Sequence, residues 1–299
     1  MPYDLIAVGD VMLDGALPAP VVGGRVHGRI ELRAGGSAAN AALAAARLGA
    51  HAAVIGRVGA DAGGRLVADA LAAAGVEPLL ARDAEARTGC VVVIGGTSIV
   101  ADPGASLRLA PHDLPPTLEA GAVLVSGYSL LQAGPEAAAR AALERARTDW
   151  LAVDAGSARL VAAFGVDRFL EATAMAGVLL ANAEEARTLT GLEADDAALT
   201  LARRYRVVCV KLGRAGAIAA SGGDVMRAEA QPVDRADTLG AGDAFAGGFL
   251  LSLSRGVDLA VALRAGCDTA TAALYDRDEA TPKPPARSRR PPHDRRGAS

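Results

Sequence analysis

Short, continuously apolar runs alternate with Ala-rich stretches of helical period along most of this chain, and that alternation restricts its fold more than any other feature. Strands are predicted over residues 4–9, 52–57, 122–126, 150–153, 177–180 and 206–211, and helices over 38–48, 61–74, 135–147, 183–190 and 194–204. Strands apolar on both faces, separated by amphipathic helices, call for a mostly parallel sheet with helices packed on either side. Ligands of such α/β sheets bind beyond the carboxyl ends of the strands. At 299 residues, 51% of them apolar, the chain can bury one large core, so one main domain over residues 1–280 is expected.

Two segments break the alternation. Residues 15–33, "GALPAPVVGGRVHGRIELR", and 87–102, "RTGCVVVIGGTSIVAD", read as short strands with Gly turns, the second a hairpin around Gly95 and Gly96. They form either a small separate sheet over the mouth of the main domain or edge strands of the same sheet, and periodicity alone does not separate the two. Residues 281–299 are rich in Pro and Arg without apolar periodicity, so a disordered tail is expected there.

Charge and cysteine content exclude several function classes. The chain carries 31 basic and 34 acidic residues; residues 281–299 hold six Lys/Arg against Asp294, which leaves 25 against 33 in the body, a charge of −8. A body of that sign lacks the basic face that duplex nucleic acid requires. Cys90, Cys209 and Cys267 are far apart in apolar settings, giving neither a disulfide framework nor a zinc site. The start "MPYDLIAVGD" has no basic n-region, and no segment offers about 18 uncharged apolar residues, so no membrane association and a cytoplasmic location are expected.

The stretch "DTLGAGDAFAGGFL", residues 237–250, holds the first candidate chemistry. If its apolar part is helical, Gly240, Ala241, Gly242 and Asp243 occupy the N-terminal turn, where unpaired N–H groups and the positive end of the helix dipole converge. Phosphate oxygens suit such a turn, and a carboxylate beside it can take a proton from an attacking hydroxyl. Read structurally, Asp243 merely complements the dipole behind a tight Gly turn. "AGGSAANAALAAARLGA", residues 34–50, repeats the device, and "GDVMLD" sets Asp10 and Asp14 just after the first strand. Asp14 and Asn40 offer the acceptor and donor that paired hydroxyls require, although each also fits turn or helix-entry geometry.

Taken in order, "GGSAANAALAAARLGA", "IGRVGADAGGRLVADALAAAGV", "NAEE", "VKLGRAG" and "DTLGAGDAFAGGFL" resemble the ribokinase-like (PfkB) family of carbohydrate kinases over residues 4 to about 275. The resemblance implies a Rossmann-like α/β domain with a small β lid, which transfers the γ-phosphoryl of ATP to a hydroxyl of a small sugar or related molecule. It implies that Asp243 is the base, that Gly240, Ala241 and Gly242 form the anion hole, and that Asp14, Gly35, Gly36 and Asn40 contact substrate hydroxyls. Asn182 and Glu185 fall on an N-x-x-E motif that organises Mg²⁺ indirectly; the same spacing is a capping box, and both roles are compatible. Lys211, Gly213 and Gly216 match the strand and turn along the nucleotide, with a solvated strand end as the other reading of Lys211. Asp237 falls near a family site for K⁺.

Departures from the pattern bear on substrate and cation. Where many members carry a Gly-Ala segment after the last helix, this chain reads "LYDRDEATPKPP", with Glu279 near the expected Gly. Met12 stands where several sugar-specific members have Asn, and a "GAN" near the lid is "GAS", residues 104–106. Two competitors remain open: a nucleoside kinase of the same fold, disfavoured by scarce aromatic residues, and a sensing protein without turnover, disfavoured by the presence of Asp243. A Rossmann dehydrogenase fails because no G-x-G-x-x-G opens the first helix. Lid sheets of this type present edges that pair across a two-fold axis, which makes a homodimer through the lid an expectation.

Overall fold

The computed structural model describes residues 3–17, 30–94, 98–233 and 239–279. The main sheet has ten strands. Its spatial order is Asp224–Ala228, Ala217–Ser221, Val207–Lys211, Val178–Asn182, Trp150–Asp154, Leu118–Val125, Tyr3–Val8, Ala52–Gly59 and Val76–Asp83, with the short strand Ala146–Arg147 paired off this path. All pairs from Val207–Lys211 to Val76–Asp83 are parallel, and the two strands beyond Val207–Lys211 are antiparallel.

The apolar runs are buried on both faces, as the periodicity requires. Leu5 and Ala7 point into one core layer with Val54, Leu124 and Phe249, while Ile6 and Val8 point into the other with Ile55, Val123 and Phe169. Alternate residues of a strand face opposite sides, so two helical layers are needed to cover this sheet. The small side chains of the helix Ser37–Arg47 bury Ala41, Ala42 and Ala45 against the helix Ala241–Ser254, which carries Phe245 and Phe249.

The two irregular segments form a sheet of their own. Its order is Glu31–Gly35, Met12–Leu17, Thr88–Ile94, Ser98–Gly104, and Met12–Leu17 runs parallel to Thr88–Ile94. That arrangement is the separate-sheet alternative rather than the edge-strand one. Residues 18–29, the turn at Gly95 and Gly96, Asp237 and the tail 281–299 lie outside the described residues.

Several boundaries differ from the sequence expectation. The helix expected over 135–147 is Glu136–Arg145, because Ala146 and Arg147 leave it to pair with Leu118 and Glu119. The helix expected over 194–204 stops at Leu201. The last helix runs from Leu259 to Glu279, so Glu279, which the resemblance sets near a family Gly, is still helical.

Candidate active site

The carboxyl ends of the central strands bring polar side chains to one place. Asp10 follows Tyr3–Val8, Ser126 follows Leu118–Val125, and Asp154, Asn182 and Lys211 each end a strand. Asp10 is buried and accepts hydrogen bonds from the Ser37 N–H at 2.7 Å and from Ser126 Oγ at 2.7 Å. Burial raises its pKa, and these two bonds work against the rise. Asp10 therefore ties the entry of the helix Ser37–Arg47 to the sheet.

Asp243 sits in the first turn of Ala241–Ser254, as expected. Gly240 caps that helix with φ of 73°, a left-handed conformation that a side chain would disfavour. The half-buried Asp243 carboxylate accepts a hydrogen bond from Asn40 Nδ2 at 3.1 Å, so the two Gly-centred motifs meet through these side chains. Loss of water, followed by the field of Asp154, pushes the Asp243 carboxyl up to about 7, against the lowering effect of Asn40 and Lys211.

Asp14 lies on the strand Met12–Leu17 and faces Gly35 on its neighbour. A Cβ on Gly35 would overlap Asp14 Cγ at 2.1 Å, so only glycine admits the carboxylate there. Gly36 is the N-cap of Ser37–Arg47, and its carbonyl accepts from the Asn40 N–H at 2.8 Å in the first turn. Ser106 of the "GAS" variant is buried and donates to the Val11 carbonyl at 3.1 Å, which makes it a tie between lid and sheet.

On the other side of the Asp243 turn is a cleft of about 590 Å³. Lys211, Gly213, Gly216, Ala241, Gly242 and Phe245 line it, which brings the three residues expected along the nucleotide together with two of the three expected to form an anion hole. Its size is that of an ordinary small-ligand pocket. The solvated reading of Lys211 is not what is observed. Its Nζ donates to Asp154 Oδ2 at 2.6 Å, with side chains only 16% and 13% exposed, and lies 3.4 Å from where a Cβ on Gly242 would stand. Burial alone would lower the Lys211 pKa, yet Asp154 and Glu185 hold it above its ordinary value.

Asn182 and Glu185 form the capping box of the helix Ala183–Thr190. Glu185 Oε2 accepts from the Asn182 N–H and Oε1 from Asn182 Nδ2, both at 2.7 Å, while Asn182 Oδ1 accepts from the Glu185 N–H at 2.9 Å. Neither residue lines the cleft. Glu185 is buried, and burial together with Asp154 pushes its carboxyl up to about 7. Among the described residues no three His, Cys, Asp or Glu side chains converge as a metal cage. Asp154, Glu185 and Asp243 nevertheless act on one another around Lys211: burial and the charge of Asp154 raise the Glu185 and Asp243 carboxyls, and Lys211 works against both. A divalent cation held through water and phosphate oxygens fits that surplus of negative charge better than a cation bound by protein alone.

Sequence reasoning did not single out Asp154 or Tyr128. Asp154 lies just past the strand expected over 150–153, and its partner Lys211 is 57 residues away. Tyr128 is 36% exposed, and burial of its hydroxyl, then the carboxylates Asp243, Asp10 and Asp154, raise its pKa, so its hydroxyl belongs to this site.

A mostly parallel sheet between helical layers, with a separate four-stranded sheet beside the carboxyl ends of its strands, is the architecture of ribokinase-like kinases. The chain belongs to the pfkB family of carbohydrate kinases, whose model matches residues 4–286. It is 34% identical to a fructokinase of Klebsiella pneumoniae over 83% of this chain and 82% of that one. It is 31% identical to a 2-dehydro-3-deoxygalactonokinase of Haloferax volcanii, covering 90% of each. Among solved structures, the adenosine kinase from Sinorhizobium meliloti superposes with a TM-score of 0.81 at 24% identity, covering 91% of this chain and 93% of that one. The protein is thus a carbohydrate kinase with a small-molecule substrate, and its family implies ATP and a divalent metal. Among the described residues no helix is long and apolar enough to cross a membrane.

Proposed function

We propose that this protein is an ATP-dependent sugar kinase in which Asp243 is the base. The observation that carries this reading is the position of Asp243, hydrogen-bonded to Asn40 on one side and adjoining the cleft lined by Lys211 and Gly242 on the other. An acceptor held by Asp14 and Asn40 gives its hydroxyl proton to Asp243 as the oxygen–phosphorus bond forms and the bond to the leaving ADP breaks. Backbone N–H groups of Gly240, Ala241 and Gly242 stabilise the charge on the transferring phosphoryl, and Lys211 adds a positive charge at the same turn. Mg²⁺, when bound, supplies neutralisation of the phosphate charge, and Glu185 with Asn182 orders the water around it. K⁺ activation through Asp237 belongs to the same reading.

A sugar is favoured as acceptor by the names of the curated relatives above, a fructokinase and a keto-deoxy sugar acid kinase. Tyr128 is the observation that favours the second reading, a nucleoside acceptor, since its exposed ring can stack on a base. We further infer a single kinase domain to about residue 280, a cytoplasmic location consistent with free Cys90, Cys209 and Cys267, and a homodimer through the lid. Leu32, Ile99 and Val100 support the dimer, being exposed apolar residues on the two outer strands of that sheet. Release of ADP from Mg-ATP over a panel of hexoses, pentoses, keto-deoxy sugar acids and nucleosides tests the assignment. Turnover of a sugar class supports it, nucleoside turnover alone supports the second reading, and binding without turnover of any acceptor points to a sensing protein.

A further inference from the structure

We infer that Asp154 is a positioning residue for phosphoryl transfer, acting through Lys211 by holding the ammonium against the first turn of the helix Ala241–Ser254. The inference rests on the kinase reading above and assigns a role to a residue that reading does not use.

The sheet register makes the contact between them unusual. Lys211 is level with Asn182, and Asp154 is level with Leu180, so the strand Val178–Asn182 runs between the two. Across two strand spacings of ~4.8 Å each, an extended lysine side chain must turn sideways over the end of the middle strand to reach the carboxylate. It does so, at 2.6 Å, and the same reach leaves Nζ beside Gly242. Asp154 is itself fixed, since its Oδ1 accepts from the Gly156 N–H at 2.9 Å in the turn that follows the strand. One carboxylate oxygen thus anchors to backbone and the other aims the lysine.

A long, flexible ammonium with three donors needs such a guide. The charges of Glu185 and Asp243 also act on Lys211, and without Asp154 they are the carboxylates left to attract it. A lysine that moved onto Asp243 would occupy the base and leave the anion turn, while its charge would still attract nucleotide. Loss of Asp154 therefore lowers turnover without weakening nucleotide affinity. Damage to the fold would lower both.

The test is a double-mutant cycle of Asp154→Asn and Lys211→Met, with ADP affinity measured by calorimetry beside kcat. Asp154→Asn is expected to lower kcat about 30-fold or more with ADP affinity kept within about threefold, and the double variant to be no slower than Lys211→Met alone. Asp154→Glu, which restores the charge, is expected to recover part of the loss. Losses that multiply in the double variant, or kcat within about threefold of wild type in Asp154→Asn, would overturn the inference. A second readout needs neither turnover nor the kinase reading. The chain has only two lysines, Lys211 and Lys283, so Lys283→Arg leaves one ammonium signal in a ¹H–¹⁵N spectrum. That signal should be protected from exchange in the ADP-bound chain and lost in Asp154→Asn or, if that variant does not fold, in Asp154→Ser. A signal unchanged by either variant contradicts the inference even if no acceptor is turned over, whereas a lost signal with no turnover counts against the kinase reading alone.

Discussion

Asn40 Nδ2 and Asp243 Oδ2 stand 3.1 Å apart although 203 residues separate them in the chain. The contact joins the first turns of two helices that pack together, Ser37–Arg47 and Ala241–Ser254, and so couples the residue proposed to hold the acceptor with the residue proposed to deprotonate it. Replacing Asn40 by Ala should therefore affect both binding and rate. The expected outcome is an acceptor KM raised about tenfold and a lowered kcat, with the ATP KM little changed, in steady-state kinetics at saturating ATP.

The elevated Asp243 carboxyl gives the pH profile its shape. A base must be unprotonated, so kcat/KM for the acceptor should rise with pH and level off above about 7. Lys211, held ionised by Asp154 and Glu185, contributes no falling limb in the neutral range. A profile already flat from pH 5 upward would mean that the titrating base is another group.

The same shift has a cost in stability. Asp243 holds its proton up to about 7 in the folded chain against 3.8 ordinarily, so folding takes up a proton between these values. Its contribution is full below the lower value and is lost as pH rises through about 7. Asp243→Asn removes the charge, and water at this half-buried site limits the gain to about 1–2 kcal/mol, or ~2–4 °C in Tm. Thermal unfolding of the ligand-free proteins should show the variant more stable at pH 8, with the difference shrinking at pH 6.

Gly35 offers a steric test of the acceptor side. Gly35→Ala places a methyl 2.1 Å from Asp14 Cγ, which the carboxylate must vacate. The acceptor KM should rise by about tenfold or more while the ADP affinity stays near wild type. An unchanged acceptor KM would remove Asp14 from the acceptor site.

The parts of the fold legible in the sequence were those with two-sided burial. Strands such as Ala52–Gly59 and Val207–Lys211 are nearly all buried and apolar, and they stand out against helices of different period. The strand Val76–Asp83 escaped notice because it is an edge strand that is mostly only half-buried, with Glu77 and Arg82 exposed on opposite faces. The hairpin Ala217–Ser221 and Asp224–Ala228 was hidden by small and mixed side chains. In the site, the Gly-centred turns and Asp243 were legible as local patterns, whereas the Asp154–Lys211 pair was not. Each of these residues closes an unremarkable strand, and only the lateral order of the sheet brings them together.

The most direct measurement is ADP release by Asp243→Asn beside wild type, on whichever acceptor the panel identifies and at saturating Mg-ATP. The predicted result is a kcat lower by about 10²–10⁴-fold with the acceptor KM within a few-fold of wild type, because the isosteric amide keeps the Asn40 contact but accepts no proton. A kcat unchanged by the substitution would contradict the assignment of Asp243 as the base.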